Sequence, residues 1–271
     1  MSTTLDQPSS VTELALLRVP LSAGASSPIA TRTDVSAVKA PIRAGLLKAK
    51  NAMQDFSGES FAFAILEADE EKKFESSQLQ AHSQGREEAE TEGEAANMIL
   101  KETVDVLIIG GWPSVDFHVR TWLPSPENQA LLVEIGNSGA TTRWMWHVDR
   151  RREDLEGLLT SAAASSPGGL HLHRLVIDNP EMMEKAEVLL ADLQGGVGVR
   201  GVVSAWRIDP GYWAEGETDM RANAGVDAAE LVILLSTGMD DEVDKRAGDV
   251  INQFVGLAVD STSRVGTIMN I

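Results

Sequence analysis

The sequence contains no cysteine among its 271 residues. Disulfide frameworks, thiolate-bound zinc, iron–sulfur clusters and cysteine nucleophiles are therefore excluded. It also lacks an apolar run near the roughly 18–20 residues needed to span a bilayer. Residues 1–10 lack the basic and apolar stretches of a secretory signal. These absences predict a soluble, cytoplasmic protein that does not partner a membrane.

Positive charge is also scarce. The sequence has 23 Lys and Arg residues but 41 Asp and Glu residues, which gives a formal net charge of −18. A nucleic-acid backbone would be repelled, so nucleic acid is not an expected partner. Much of the acidity falls between about residues 68 and 98, where hydrophobic periodicity disappears. This segment is predicted to be a disordered, solvated insertion between two strands.

Elsewhere the hydrophobic pattern predicts a β-α-β-β-α-β order that occurs twice. The first half has predicted strands at 12–21, 60–67, 104–110 and 141–149, and helices at 36–56, 114–123 and 126–135. A helical linker at 150–164 leads to the second half. That half has predicted strands at 170–177, 199–208, 229–236 and 265–271, helices at 180–193 and 240–257, and a second polar insertion at 209–227.

This order predicts an α+β protein of two tandem ferredoxin-like βαββαβ units, at residues 1–149 and 150–271. Each unit places its helices on one face of its sheet and leaves the other face apolar. Two such units can cover each other's apolar faces. We therefore expect an intramolecular dimeric α/β barrel, and a homodimer of the whole chain is compatible with it.

A family resemblance lies in the segment GWPSVDFH at residues 111–118, followed by Trp122, Asn128 and the strand ending WHVD at 146–149. A strand that ends in Gly-Trp-x-Ser, with a histidine four residues after the serine, resembles fungal proteins of the antibiotic-biosynthesis-monooxygenase-like dimeric α/β-barrel superfamily. The resemblance implies small hydrophobic substrates, often polyketide-like aromatics, and no metal or organic cofactor. It implies oxygenase, cyclase, isomerase or dehydratase chemistry, or a protein without catalysis.

His118 is the first catalytic candidate, because histidine can accept and return a proton near neutral pH. Ser114 lies four residues earlier, on the same face of the predicted helix, and could contact the substrate. The alternative is a buried structural histidine bonded to the backbone or to Ser114.

The aromatic residues are biased, with six tryptophans and one tyrosine. Flat indoles suit an aromatic ligand, although ordinary core packing explains them equally well. Alternation along the fourth strand places two tryptophans on one face and Arg143 with His147 on the other. Arg143 could stabilise a developing enolate, and Asn128 could polarise a carbonyl; a surface salt bridge is the alternative for Arg143. The candidate substrate-binding tryptophans are Trp112, Trp122, Trp144 and Trp146.

His171 and His173 share one face of the fifth predicted strand. The spacing permits a catalytic base at His171 and a pocket contact at His173, or simply one buried and one peripheral histidine. No third ligand is evident, so no metal site is expected. A haem-dependent member of the superfamily would carry its proximal histidine on a helix of the second unit, and these histidines lie on a strand.

Three functions remain open at this point. The first is a cofactor-independent tailoring enzyme that uses His118 for proton transfer in cyclisation, isomerisation or dehydration of a hydrophobic substrate. The second is a cofactor-independent monooxygenase of the same fold, in which the deprotonated substrate itself reduces oxygen. The third is a non-catalytic binding or scaffold protein that presents its acidic insertion to a partner.

Overall fold

The structure is a computed structural model that describes residues 10–22, 38–66, 103–149, 157–158, 169–195, 202–225, 227–237 and 241–269. The predicted acidic insertion lies outside the described residues, as does the helical linker apart from 157–158. The first half contains β1 (Val11–Pro20), α1 (Ala40–Ser57), β2 (Phe61–Leu66), β3 (Thr103–Trp112), α2 (Val115–Phe117), a π-helical turn (His118–Trp122), α3 (Pro126–Asn137) and β4 (Thr141–Val148).

Helix α1 shows why the sequence folds as it does locally. Its buried residues recur at three- and four-residue steps, so that Ile42, Leu46 and Met53 face the sheet. Gly58 ends the helix in a left-handed conformation and donates its N–H to the carbonyl of Gln54. The helix begins at Ala40, later than the predicted residue 36. Among the described residues, no helix is both long and apolar enough to cross a membrane.

The second half repeats the order of elements and corrects two predicted boundaries. The last strand begins at Asp260, five residues before the prediction, and ends at Ile268. Its polar first residues are held by pairing with β5, from Val176 opposite Asp260 onward. The second polar insertion also contains a short strand and a short helix. The elements are β5 (Gly169–Ile177), α4 (Pro180–Gly195), β6 (Val202–Trp206), β7 (Tyr212–Trp213), α5 (Met220–Ala224), β8 (Ala229–Thr237), α6 (Asp241–Val255) and β9 (Asp260–Ile268).

All the named strands join one curled antiparallel sheet in the order β6-β8-β5-β9-β2-β3-β1-β4-β7. Within each half the four main strands follow the order second, third, first, fourth, which is consistent with the ferredoxin-like arrangement. The halves meet where β2 pairs with β9. Directly after β6, Arg207 forms an isolated antiparallel β-bridge with Val148 of β4. The two ends of the sheet therefore touch.

The sheet separates an interior core from two helix-side cores. Burying a large apolar side chain contributes about 1.5–3 kcal/mol, so each core supplies substantial stability. The interior core draws on both halves, as shown by Leu16 and Trp146 beside Leu172 and Val232. One helix-side core packs β1–β3 against α1 and α3, and the other packs β5 and β8 against α4 and α6.

Candidate functional site

The turn that follows β3 carries the first candidate, His118. Ser114 caps α2 with its hydroxyl, which accepts the N–H of Phe117 at 3.0 Å. The next turn is π-helical, closed by the N–H of Leu123 on the carbonyl of His118 at 2.9 Å. Single π-helical turns inside helices occur frequently at functional sites. This turn buries both His118 and Trp122, while Ser114 serves as a helix cap.

His118 is the first member of a buried hydrogen-bonded chain. Its Nδ1 lies 2.8 Å from Nε2 of His147 on β4. Nδ1 of His147 lies 2.6 Å from Oδ2 of Asp209, and the backbone N–H of His147 donates to the other carboxylate oxygen at 2.9 Å. Both histidines are 1% exposed. Each ring is therefore held in one orientation by the next group in the chain.

The chain fixes which nitrogen of His118 can accept a proton. The pKa of Asp209 lies below its ordinary value, because hydrogen bonds from His147 outweigh the raising effect of burial. A neutral His147 that donates its Nδ1 proton to the Asp209 carboxylate accepts the Nδ1 proton of His118 on its Nε2. Burial lowers the pKa of His118, against the raising effect of Glu13. In this tautomer the uncharged His118 carries its lone pair on Nε2.

Glu13 of β1 lies close to Nε2 of His118. Its Oε2 lies 3.6 Å from Nε2 of His118, beyond ordinary hydrogen-bond distance. The indole N–H of Trp112 donates to the same carboxylate oxygen at 2.5 Å. The Trp112 ring also stacks on the imidazole of His118, with centroids 4.3 Å apart. A positive charge formed on His118 would lie beside a carboxylate and an aromatic face.

His118 and Glu13 both line a cavity of about 210 Å³ between the sheet and α1 and α3; we call it the first cavity. Its walls are mainly apolar, and Trp122 and Asn128 also contribute to them. Asn128 is buried, and its Nδ2 donates to the carbonyl of Leu123 at 3.0 Å. The arrangement combines an imidazole, a carboxylate and a mainly apolar volume, which suits proton transfer on a small hydrophobic molecule.

Trp144 and Trp146 lie on the opposite face of the sheet from His118. Their rings stack with centroids 5.1 Å apart inside the interior core. Among the candidate tryptophans, the structure therefore brings only Trp112 and Trp122 to His118.

The predicted face of Arg143 is wrong. The pairing of β1 with β4 shifts at Leu16 and Leu17, which pair with Trp144 and Thr142 and leave Arg143 as an extra residue. Such a bulge interrupts the alternation of side chains. Arg143 therefore lines a second cavity together with Trp144, and it binds Glu217 and Asp105 at 2.5 and 2.6 Å.

His171 and His173 lie on β5 with their rings 6.0 Å apart, and neither lines either cavity. Burial lowers the pKa of His173 to about 4. Among the described residues, no three histidine, aspartate or glutamate side chains are placed to hold a metal ion. The sequences of α4, α5 and α6 contain no histidine, so these helices offer no proximal haem ligand.

The site is assembled from both halves of the chain. His118 and His147 come from the first half, whereas Asp209 follows β6 in the second. Arg207 holds this loop, since its Nε donates to the carbonyl of Asp209 at 2.8 Å. The N–H of Ile208 donates to the carbonyl of His147 at 3.0 Å. Closure of the sheet ends thus places the carboxylate against the imidazole.

Gly211 permits this close approach. Its φ is +68°, and an added Cβ would lie 2.5 Å from the carbonyl oxygen of Met145. We expect Gly211→Ala to destabilise the fold by about 2 kcal/mol, because the left-handed backbone and the clash both disfavour a side chain. Urea unfolding measures this loss. Gly216→Ala is the control for backbone strain alone, since no atom of the described residues lies within 4 Å of its added Cβ; equal losses in both variants would contradict the clash.

Sequence reasoning missed Glu13, His147 and Asp209 as site residues. Glu13 left a usable signal, since it is a lone carboxylate inside the apolar strand β1. Asp209 left none, because it opens a polar segment that lies 62 residues beyond His147.

No protein-family model matches the chain, and no curated protein matches its sequence. Similar solved structures include a "putative monooxygenase" from Fusobacterium nucleatum subsp. nucleatum, with a TM-score of 0.49 and 9% identity over 96% of this chain and 93% of that one. A "putative monooxygenase" from Lactobacillus acidophilus has a TM-score of 0.46 and 6% identity over 96% and 94%. A mutant chlorite dismutase from Candidatus Nitrospira defluvii has a TM-score of 0.44 and 10% identity over 98% and 93%.

Proposed function

We propose that this chain is a cofactor-independent enzyme that transfers protons on a small hydrophobic substrate bound in the first cavity. One observation carries the proposal: the buried chain from Asp209 through His147 to His118 ends on an imidazole that lines an apolar cavity. A buried histidine with a purely structural role usually has both ring nitrogens hydrogen-bonded. Here His147 and Asp209 orient His118 through Nδ1, whereas Nε2 has no direct hydrogen bond to any residue that the structure describes.

In the proposed reaction, Nε2 of His118 takes a proton from an acidic C–H or a phenol. The imidazolium is stabilised by Glu13 on one side and by the Asp209 carboxylate, through His147, on the other. Nδ2 of Asn128 offers its second hydrogen to a substrate carbonyl, where negative charge develops. Return of the proton to another atom completes an isomerisation, a cyclisation or a dehydration.

The resemblance of residues 111–149 supports the substrate class, namely polyketide-like aromatic compounds handled without a cofactor. The repeated β-α-β-β-α-β order supports a division near residue 150 into tandem units whose sheets enclose the shared interior core. In this proposal the doubled architecture is functional, because the second unit supplies Asp209 to the histidines of the first.

Hydrogen–deuterium exchange of 2-tetralone, a bicyclic ketone with acidic C–H groups, tests the proposal without knowledge of the natural substrate. We expect the protein to accelerate deuterium uptake from D₂O, followed by NMR, above the rate in buffer. Leu131→Trp is the matched blocking variant, since Leu131 lines the first cavity. Exchange at the buffer rate with the wild-type protein would refute the proposal. Oxygen uptake during turnover of a hydroxylated anthrone would instead indicate that His118 acts as the base of an oxygenase.

Asp209→Asn is expected to slow this exchange about tenfold or more. An amide no longer requires the Nδ1–H tautomer of His147, so His118 loses its fixed orientation and the charge that stabilises its protonated form. The measurement is the exchange rate at saturating 2-tetralone. Asp149→Asn is the control, because Asp149 is exposed and its side chain stands outside the chain of histidines; equal effects of the two changes would contradict the role of Asp209.

A further inference from the structure

The second cavity, of about 300 Å³, lies on the interior face of the sheet and has a different chemistry from the first. Trp144 and Trp213 form aromatic walls, and Arg143, Arg174 and Arg264 bring positive charge to them. The proton-transfer chain does not reach this cavity. Nothing in the proposed reaction uses these residues.

Arg174 is the residue whose bonding is incomplete. Its Nε donates to Oε1 of Glu230 at 2.6 Å, and its side chain is 8% exposed. Its Nη2 is buried without a hydrogen-bond partner in the part of the chain that the structure describes. The indole Nε1 of Trp146, whose ring centroid lies 5.5 Å from the guanidinium carbon, has no partner there either. Two neighbouring buried donors thus lack an acceptor, which is unfavourable inside a protein.

The ion pairs around the cavity share their carboxylates between arginines. Glu230 is shared by Arg174 and Arg207, at 2.6 and 2.9 Å. Asp105 is likewise shared between Arg143 and Arg264. Among the described residues, five arginines pair with four carboxylates, and Asp209 interacts with Arg207 as a fifth: Arg18, Arg143, Arg174, Arg207 and Arg264 with Asp105, Glu217, Asp219 and Glu230.

The guanidinium of Arg174 lies between aromatic surfaces, 5.1 Å from the Trp144 ring centroid and 5.3 Å from that of Trp213. A flat ligand that enters beside these rings can stack on an indole while its anionic group meets Arg174. The cavity volume lies at the small end of the range for ligand sites.

We propose that the second cavity binds a flat aromatic carboxylate, separately from the substrate in the first cavity. The carboxylate accepts from the guanidinium of Arg174, and the ring lies against Trp144 and Trp213. The ligand adds a negative group to a lining that carries three arginines and one carboxylate, Glu217. No bond is made or broken in this step.

Isothermal titration calorimetry with 1-naphthoate tests the site, and 1-naphthamide is the uncharged analogue. We expect one binding site for the acid and at least tenfold weaker binding of the amide. Arg174→Lys keeps the charge and can keep the pair with Glu230, but it removes the planar amino group, so it is expected to weaken naphthoate at least tenfold. Absence of naphthoate binding at millimolar concentration, or unchanged affinity in Arg174→Lys, would overturn the proposal.

Three further variants locate the bound molecule. Arg120→Lys, on an exposed side chain, and Leu131→Trp, which fills the first cavity, should leave naphthoate affinity within twofold. Loss of binding in Leu131→Trp alone would place the ligand in the first cavity and contradict the inference. Should Arg174→Lys fail to fold by circular dichroism, Trp213→Leu replaces it. Trp213 is only half-buried, and unchanged affinity in that variant would equally reject the site.

Discussion

Replacement of His118 with glutamine is expected to lower the rate of 2-tetralone exchange by at least about 100-fold, the usual contribution of a general base. Glutamine can still donate to Nε2 of His147, so the buried hydrogen bond survives in altered form. It cannot accept a proton from the substrate. The NMR exchange rate at saturating ketone therefore separates the chemical role of His118 from its packing role.

The pH profile gives this experiment a second readout. Burial lowers the pKa of His118, so the basic form persists below pH 6.5, where an exposed histidine is already half protonated. We expect the wild-type rate to stay level from pH 8 to below pH 6.5 and to fall only in more acidic solution. His118→Gln should show no such inflection.

Arg120→Gln is the matched control for the turn itself. Arg120 lies two residues from His118 in the same π-helical turn, with its side chain 80% exposed and paired with Asp116. Its replacement is expected to leave the exchange rate within twofold. A large loss in Arg120→Gln, or full activity in His118→Gln, would remove the base from the mechanism. The second outcome would assign the exchange to another group of the protein.

Acidification from pH 7 to pH 5 is expected to cost about 2 kcal/mol of unfolding free energy through His173 alone. Burial, with a smaller contribution from His171, lowers the pKa of His173 to about 4 in the folded state. The unfolded state has the ordinary value of 6.5 and therefore binds the proton first. This contribution to stability is complete above pH 6.5 and is lost as the pH falls toward 4.

Urea unfolding of His173→Phe at the two pH values checks this expectation. Phenylalanine keeps a flat ring in the buried position and does not titrate, so the loss between pH 7 and pH 5 should be smaller by about 2 kcal/mol than in the wild-type protein. His171→Gln should keep most of the loss, since burial is the main cause of the shift. An unchanged pH dependence in His173→Phe would show that this histidine is protonated in the native state.

The local elements could be read from the sequence because each depends on neighbouring residues. The apolar face of α1, the proline in its first turn and the glycine at its end are all contiguous signals. The cap at Ser114 and the buried position of His118 follow equally from spacing along one turn. The strand β9 was predicted less well, because its first residues are polar and become a strand only through pairing with β5.

The side of the sheet on which a residue stands needed the tertiary structure. Alternation alone placed Arg143 with His147, but the bulge opposite Leu16 and Leu17 moves Arg143 to the second cavity. A bulge depends on how two strands pair, which a single strand does not encode. The two pairs of tryptophans are also separated by the tertiary structure, since Trp112 and Trp122 pack in the helix-side core and Trp144 and Trp146 in the interior core.

What the sequence determined by itself is therefore the order of elements and a histidine on the turn after Gly-Trp-Pro-Ser. Only the tertiary structure decided which residues surround that histidine. Glu13, His147 and Asp209 are separated by up to 196 positions, and they meet because the antiparallel sheet curls until its two ends touch. The physical reason is that hydrogen-bond partners across a closed sheet are set by long-range pairing, which leaves no periodic pattern in the chain.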